Sequence, residues 1–223
     1  VLIQKINSSA DSVTIGFGYS CPFLEKKLED NKNKNLLMLM PSEQGVVSWP
    51  KKSRSVTALV DEVSWPINTS SADLILIAHG LEVSDNQDLL LRETLRVLKD
   101  SGKLIILVPN RTGFWARSEI TPFGYGKPYS TSQLSTLLSK NQFQIDCVTP
   151  ILYGIPAKKG YWLKSLFLWE TLGKKLNNFF LGGLLVVEAS KDVYAVKKIR
   201  SSEVGRYFNP VKVPVSSMIE NLG

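Results

Sequence analysis

His79 is the single histidine in 223 residues, and it stands in Ala78-His79-Gly80-Leu81-Glu82, directly after the apolar run Leu74-Ile75-Leu76-Ile77. Imidazole exchanges a proton near neutral pH, so at a strand end it suits a general base that accepts a proton from an oxygen or nitrogen nucleophile. A hydrogen-bonded structural group is the other reading. A second chemical signal lies earlier, in Val13-Thr14-Ile15-Gly16-Phe17-Gly18-Tyr19-Ser20, a β-branched run that stops in glycine. Glycine lets the backbone turn tightly and come close to a ligand, which is how an α/β nucleotide-binding domain opens. A simple tight turn would have the same residues.

The third signal is a long segment from Pro109 to Ser130 that mixes glycine and proline with aromatic residues and carries neither helical nor strand period. It leaves the carboxyl end of an apolar strand, the edge of an α/β sheet where ligands bind. Asn110, Arg111, Trp115, Phe123, Tyr125 and Tyr129 are therefore expected to line a substrate mouth, with an aromatic plug over the core as the alternative.

These residues need a scaffold that delivers strand ends to one edge. The sequence predicts strands at 13–18, 36–40, 56–60, 72–78, 104–109, 143–148 and 183–189. Helix A is expected over Pro22–Leu28, where proline is tolerated in a first turn and the positive N-terminal end would face a ligand. After the fourth strand, Leu91, Leu95 and Leu98 fall at i, i+4 and i+7 and predict one buried stripe, with Arg92, Glu93 and Arg96 off it in water. Ser130 and Gln133 have capping-box spacing ahead of Leu134, Leu137 and Leu138. Phe143, Ile145 and Cys147 alternate onto one face, which makes Cys147 an inert core thiol. Tyr161–Leu176 reads as an apolar helix packed on the domain or a partner subunit, and it is too short and too charged to span a membrane. Residues 1–196 read as one domain and 197–223 as a basic extension.

The net charge of +7 is unevenly spread. From Lys158 onward nine Lys and two Arg stand against four Glu and one Asp, so almost all of it lies in the last third. Solvated surface charge accounts for this, and an anionic partner such as lipid or RNA is the sharper alternative. Two distant cysteines and one histidine exclude a disulfide framework and a His- or Cys-built metal site, so no metal is expected. The absence of a signal peptide and the cysteine usage point to the cytoplasm. An oligomer is left open.

In series, the glycine turn, the Asp-apolar fourth strand, His79-x-Leu81-Glu82, Arg96-x-Leu98-Lys99-x-x-Gly102-Lys103 and the fifth strand resemble the class I S-adenosylmethionine-dependent methyltransferases. Met40-Pro41 with Gln44-Gly45-Val46 and Trp49-Pro50, Pro109-Asn110-Arg111 with Gly113, Trp115-Ala116-Arg117, Thr121-Pro122-Phe123-Gly124 and Pro128-Tyr129-Ser130 resemble, more narrowly, a bacterial type 11 methyltransferase-domain family without an assigned substrate. The resemblance implies a Rossmann-like, mostly parallel seven-stranded sheet with the last strand antiparallel beside the fifth, and helices on both faces. It implies S-adenosylmethionine as methyl donor and a small-molecule acceptor. Cofactor contacts are expected from Gly16, Phe17, Gly18, Tyr19, His79 and Gly80, with Asp61 or Glu62 near the adenine. The acid that usually holds the ribose at the second strand's end is displaced here, leaving Glu43 or Gln44 from the loop. The complete Gly-x-Gly-x-x-Gly and the Tyr-x-x-x-Lys pair of dinucleotide oxidoreductases are missing. A non-catalytic binding protein on the methyltransferase fold is the competing reading.

Overall fold

The computed structural model describes residues 12–30, 35–42, 45–51, 54–113, 127–152 and 182–192. Apolar runs bounded by turns form β1 (Thr14–Gly18), β2 (Leu36–Pro41), β3 (Thr57–Val60), β4 (Ala72–Ala78), β5 (Leu98–Pro109), β6 (Phe143–Ile151) and β7 (Leu184–Lys191). They are interleaved with α1 (Cys21–Asp30), α2 (Gln87–Val97) and α3 (Thr131–Lys140). The strand order is β3-β2-β1-β4-β5-β7-β6. The first five pair in parallel, while β7 runs antiparallel to both β5 and β6. This is the Rossmann-like sheet the motifs implied, with the last strand beside the fifth.

Strands covered on both faces read as continuous apolar runs, and β1 and β4 at the centre do so. Along them side chains alternate between two cores. Ile15, Phe17, Ile75 and Ile77 pack with Leu90 and Leu91 of α2 and Leu134 and Leu138 of α3. On the opposite face Leu74, Leu76, Met38 and Leu107 pack with Leu24 and Leu28 of α1. Helices on both faces thus hold the strand ends on one rigid edge.

Three local expectations are corrected. In α2 the buried residues are Leu90, Leu91, Thr94 and Val97, with Leu95 only partly buried, and Leu98 is buried as the first residue of β5 instead of the last of the helix. The helix therefore turns its face by about one residue relative to the predicted stripe. Thr94 tolerates that burial because its hydroxyl donates to the Leu90 carbonyl at 2.8 Å. Secondly, Glu93 and Arg96 are not left in water. The Trp65 N–H donates to Glu93 Oε1 (2.7 Å), Arg96 Nη2 donates to the Trp65 carbonyl (3.2 Å), and the two side chains pair at 2.7 Å. Thirdly, a bulge in β6 between Ile145 and Cys147 breaks the alternation, so Val148 packs on the core and Cys147 is exposed. The predicted capping box is present: Ser130 Oγ accepts from the Gln133 N–H, and Gln133 Oε1 accepts from the Ser130 N–H. The helix expected over 161–176 and the extension from residue 197 lie outside the described residues.

Candidate functional site

Gly18 closes β1 with φ +71°, a left-handed conformation that glycine adopts without strain. There is no room for a side chain either, since a Cβ would stand 2.6 Å from the Ala78 carbonyl oxygen. The Tyr19 N–H donates to that same oxygen at 2.8 Å, which ties the exit of β1 to the exit of β4. Ser20 is fully buried, and its hydroxyl is within hydrogen-bonding distance of two carbonyls, Phe17 at 2.7 Å and Leu76 at 3.0 Å. It thereby fixes the turn into α1 by hydrogen bonding at a place where a third glycine is common.

Gly16 has a different use. Its Cβ direction is filled by Met38 and Leu24, so the missing side chain lets α1 and β2 close on β1. Phe17 is fully buried, with its ring stacked on Trp65 (centroids 5.4 Å apart). Its side chain belongs to the core.

Between the exit of β1, the first turn of α1 and the exit of β2 lies a cleft of about 400 Å³, lined by Gly18, Tyr19, Cys21, Pro22, Met40, Trp49 and, at its rim, Glu25, Gly45 and Val47. Tyr19 and Val47 are largely exposed there. Gly18 and Tyr19 are predicted residues that the cleft brings together, whereas Glu43 and Gln44 lie outside the described residues. Glu25, Met40 and Trp49 were missed, because their part in the cleft depends on how α1 and the loop after β2 fold back over β1. The cleft has a positive helix end on one side and apolar walls on the other.

At the end of β3, Asp61 and Glu62 do not line this cleft. Asp61 Oδ1 accepts from the Val63 N–H at 3.0 Å and braces its own turn. Glu62 accepts from the Ser84 hydroxyl at 2.7 Å, linking β3's exit to the segment after β4.

His79 follows β4 with φ +52°, an uncommon conformation for a residue with a side chain, and its N–H donates to the Leu107 carbonyl at 3.1 Å. Its Nδ1 lies 2.7 Å from Glu82 Oε1. The Glu82 side chain is 3% exposed, and its other oxygen has no hydrogen-bond partner among the described residues. Glu82 was not singled out from the sequence, although a three-residue separation across a glycine turn was a usable signal. Gly80 between them packs so tightly on the Phe17 ring that a Cβ would stand 2.7 Å from it.

The two ends of the 109–130 segment are zipped together. Asn110 and Tyr129 form an isolated parallel bridge, the Arg111 N–H donates to the Tyr129 carbonyl, and the Tyr129 N–H donates to the Pro109 carbonyl. Asn110 is buried; its amide donates to the Gly182 carbonyl at 2.7 Å and accepts from Thr112. Tyr129 is buried beside the His79 turn, where burial first and the Glu82 charge second push its phenol well above the ordinary value. Arg111 and Tyr129 share a second cleft of about 570 Å³ with Gln87, Lys127, Pro128, Gln133 and Leu137. The Lys127 N–H donates to the Glu82 carbonyl, so this cleft adjoins the histidine turn. Trp115, Phe123 and Tyr125 lie outside the described residues.

Among the described residues no group of three or more His, Cys, Asp and Glu side chains could hold a metal, and no helix is long and apolar enough to cross a membrane.

A methyltransferase domain family model matches residues 13–106. No curated protein sequence matches the chain significantly. Among solved structures, a SAM-dependent methyltransferase from Archaeoglobus fulgidus is 16% identical with a TM-score of 0.60, covering 85% of this chain and 91% of its own. One from Thermotoga maritima, described as a possible histamine N-methyltransferase, is 18% identical with a TM-score of 0.58, covering 85% and 87%. A Haloferax volcanii methyltransferase in complex with the Trm112 activator is 12% identical with a TM-score of 0.57, again covering 85% and 87%. Residues 13–106 thus match a methyltransferase domain model, and the chain has the fold of the class I S-adenosylmethionine-dependent methyltransferases.

Proposed function

We propose that this protein transfers a methyl group from S-adenosylmethionine to a small-molecule acceptor. The observation that supports the reading best is the cleft at the glycine exit of β1, closed by the first turn of α1 and adjoining the turn that carries His79. Its parts suit the donor: backbone N–H groups of α1's first turn for a carboxylate, and Met40, Val47 and Trp49 for an adenine ring. Glu25, the described carboxylate at the cleft's rim, accepts hydrogen bonds from the donor's polar groups, together with Glu43 or Gln44 from the loop. Asp61 and Glu62 hold the β3 exit beside it. When bound, S-adenosylmethionine supplies a methyl group already activated by its sulfonium charge, so the protein has mainly to position the acceptor.

His79 takes the proton that an oxygen or nitrogen acceptor gives up. The second cleft receives the acceptor, with Arg111, Lys127 and Tyr129 as its polar wall; from the sequence, Trp115, Phe123 and Tyr125 are read as further acceptor contacts. Asn110 holds the two ends of that segment together. The cationic wall favours an acceptor that carries negative or strongly polar groups. Residues 1–196 form the catalytic domain, 197–223 a basic extension, and the free thiols of Cys21 and Cys147 suit a cytoplasmic location.

Isothermal titration with S-adenosylmethionine, S-adenosylhomocysteine and NADH tests the reading. Micromolar binding of the two adenosyl ligands and none of NADH is expected; absence of binding by both adenosyl ligands would sink it. A non-catalytic binding protein is the second reading, favoured by Met40-Pro41 where the class carries a ribose-binding acid. It predicts tight binding with no turnover of the donor in an acceptor screen.

A further inference from the structure

We infer that Glu82 is a positioning residue that fixes the tautomer of His79, holding the ring proton on Nδ1 so that Nε2 is the nitrogen that accepts a proton. The inference rests on the reading of His79 as the base. It follows from donor and acceptor roles at 2.7 Å. An ionised carboxylate can only accept, so the Nδ1 opposite Glu82 Oε1 must donate, and in a neutral ring the lone pair then belongs to Nε2.

The surroundings make that arrangement hard to rearrange. Glu82 is buried, and the hydrogen bond to His79 is the one its carboxylate makes among the described residues. Releasing it would leave two buried carboxylate oxygens unsatisfied. On the other side His79 is held in a left-handed backbone conformation by its N–H bond to Leu107 and by the contact of Gly80 with Phe17. Tyr129, packed against the same turn, donates its hydroxyl toward the Leu81 carbonyl and stays a neutral phenol, while Lys127 meets Glu82 through its backbone N–H.

The arrangement narrows the acceptor class. A base held this way serves a nucleophile that loses a proton on methylation: a hydroxyl, a phenol or an N–H. A tertiary amine or a thioether has no such proton and gains nothing from it. A proton leaving the acceptor goes to Nε2, and Glu82 stabilises the imidazolium that results.

One measurement decides it without knowledge of the acceptor. The chain has a single histidine, so a tag-free, ¹⁵N-labelled protein gives one long-range ¹H–¹⁵N imidazole pattern. At a pH where the ring is neutral, the expected pattern has Nδ1 protonated and Nε2 unprotonated; the reverse overturns the proposal. Glu82→Leu is expected to lose the Nδ1–H signature, and retention of it would overturn the proposal equally. Should Glu82→Leu fail to fold, the wild-type pattern decides alone. Failure here with intact S-adenosylmethionine binding removes the role of Glu82 and leaves the methyltransferase reading standing; failure of binding with the Nδ1–H pattern present removes the methyltransferase reading and the catalytic use of the tautomer, and leaves only the Glu82–His79 pairing.

Discussion

Gly18 and Gly80 meet backbone to backbone: a Cβ on Gly18 would stand 3.2 Å from the Gly80 Cα. The exits of β1 and β4 are therefore one continuous platform, with the candidate cofactor cleft on one side and the His79 turn on the other. A side chain on Gly18 would press on the Ala78 carbonyl and the Gly80 backbone and move the two halves of the site apart.

Gly18→Ala is accordingly expected to weaken S-adenosylmethionine binding by at least about ten-fold and to destabilise the fold by roughly 1–3 kcal/mol. Gly45 is the control. It also has positive φ (+76°), but nothing lies within 4 Å of its Cβ position, so Gly45→Ala meets only the backbone preference, about 1 kcal/mol. Isothermal titration and denaturant melts measure both. Equal losses in the two variants would refute the crowding argument.

The clamp on Trp65 makes stability sensitive to acid. The Arg96 guanidinium bonded to Glu93, followed by the Trp65 N–H, holds the Glu93 carboxyl below the ordinary range, and Lys99 does the same for Asp73. In both cases the unfolded chain binds protons at higher pH than the folded one. The contribution is full above the ordinary carboxyl values, near pH 4 to 4.5, and disappears as pH falls through the lower folded values. Urea melts between pH 6 and 3 should show stability falling over that window, with a shallower fall in Glu93→Gln and Asp73→Asn. At neutral pH, Glu93→Ala leaves the Trp65 N–H unpaired and should destabilise by about 1–3 kcal/mol.

The two cysteines should react at very different rates. Cys147 is exposed on the bulged strand, whereas Cys21 lies half-buried in the cleft wall, and burial pushes its thiol up. Reactivity follows the thiolate and its access. Iodoacetamide labelling mapped by mass spectrometry should find Cys147 modified faster by about ten-fold or more, and saturating S-adenosylmethionine should slow Cys21 alone. Unchanged Cys21 labelling with the ligand bound would place the donor elsewhere.

Ser130→Ala removes the side chain that caps α3 and should lower stability by about 1 kcal/mol. Because α3 contributes no residue to the lining of the cleft at the β1 exit, adenosyl-ligand affinity should not change. A thermal melt and one titration check both halves.

The sheet was legible because its signals are local and redundant: glycine after β1, an apolar run closed by His79, a capping box at Ser130. Where packing decided the outcome, local pattern was insufficient. Leu91, Leu95 and Leu98 do lie at helical spacing, yet Leu98 starts β5, because a residue at a helix–strand junction is buried by either element. Cys147 fits a period of two until a bulge one residue earlier resets it. At the exit of β1, Gly18 holds a left-handed turn, whereas the Cβ direction of Gly16 is filled by Met38 and Leu24, a difference in local packing that sequence pattern does not draw. Glu82 was part of a recognised turn, and its pairing with His79 follows from the left-handed backbone at His79, which sequence pattern does not encode.

The place of β7 has a consequence for how the chain is made. It is the last described strand in the sequence, yet it is inserted between β5 and β6 instead of being added at an edge. As the chain leaves the ribosome, the five parallel strands can assemble first, with the whole hydrogen-bonding flank of β5 uncovered until residues 184–191 arrive. The chain between β5 and β7 must be made before that flank is capped, and long-range pairing of this sort is slow. A nascent or truncated chain ending before β7 therefore presents a sticky apolar strand to its neighbours, which makes this part of synthesis the point of greatest dependence on chaperones.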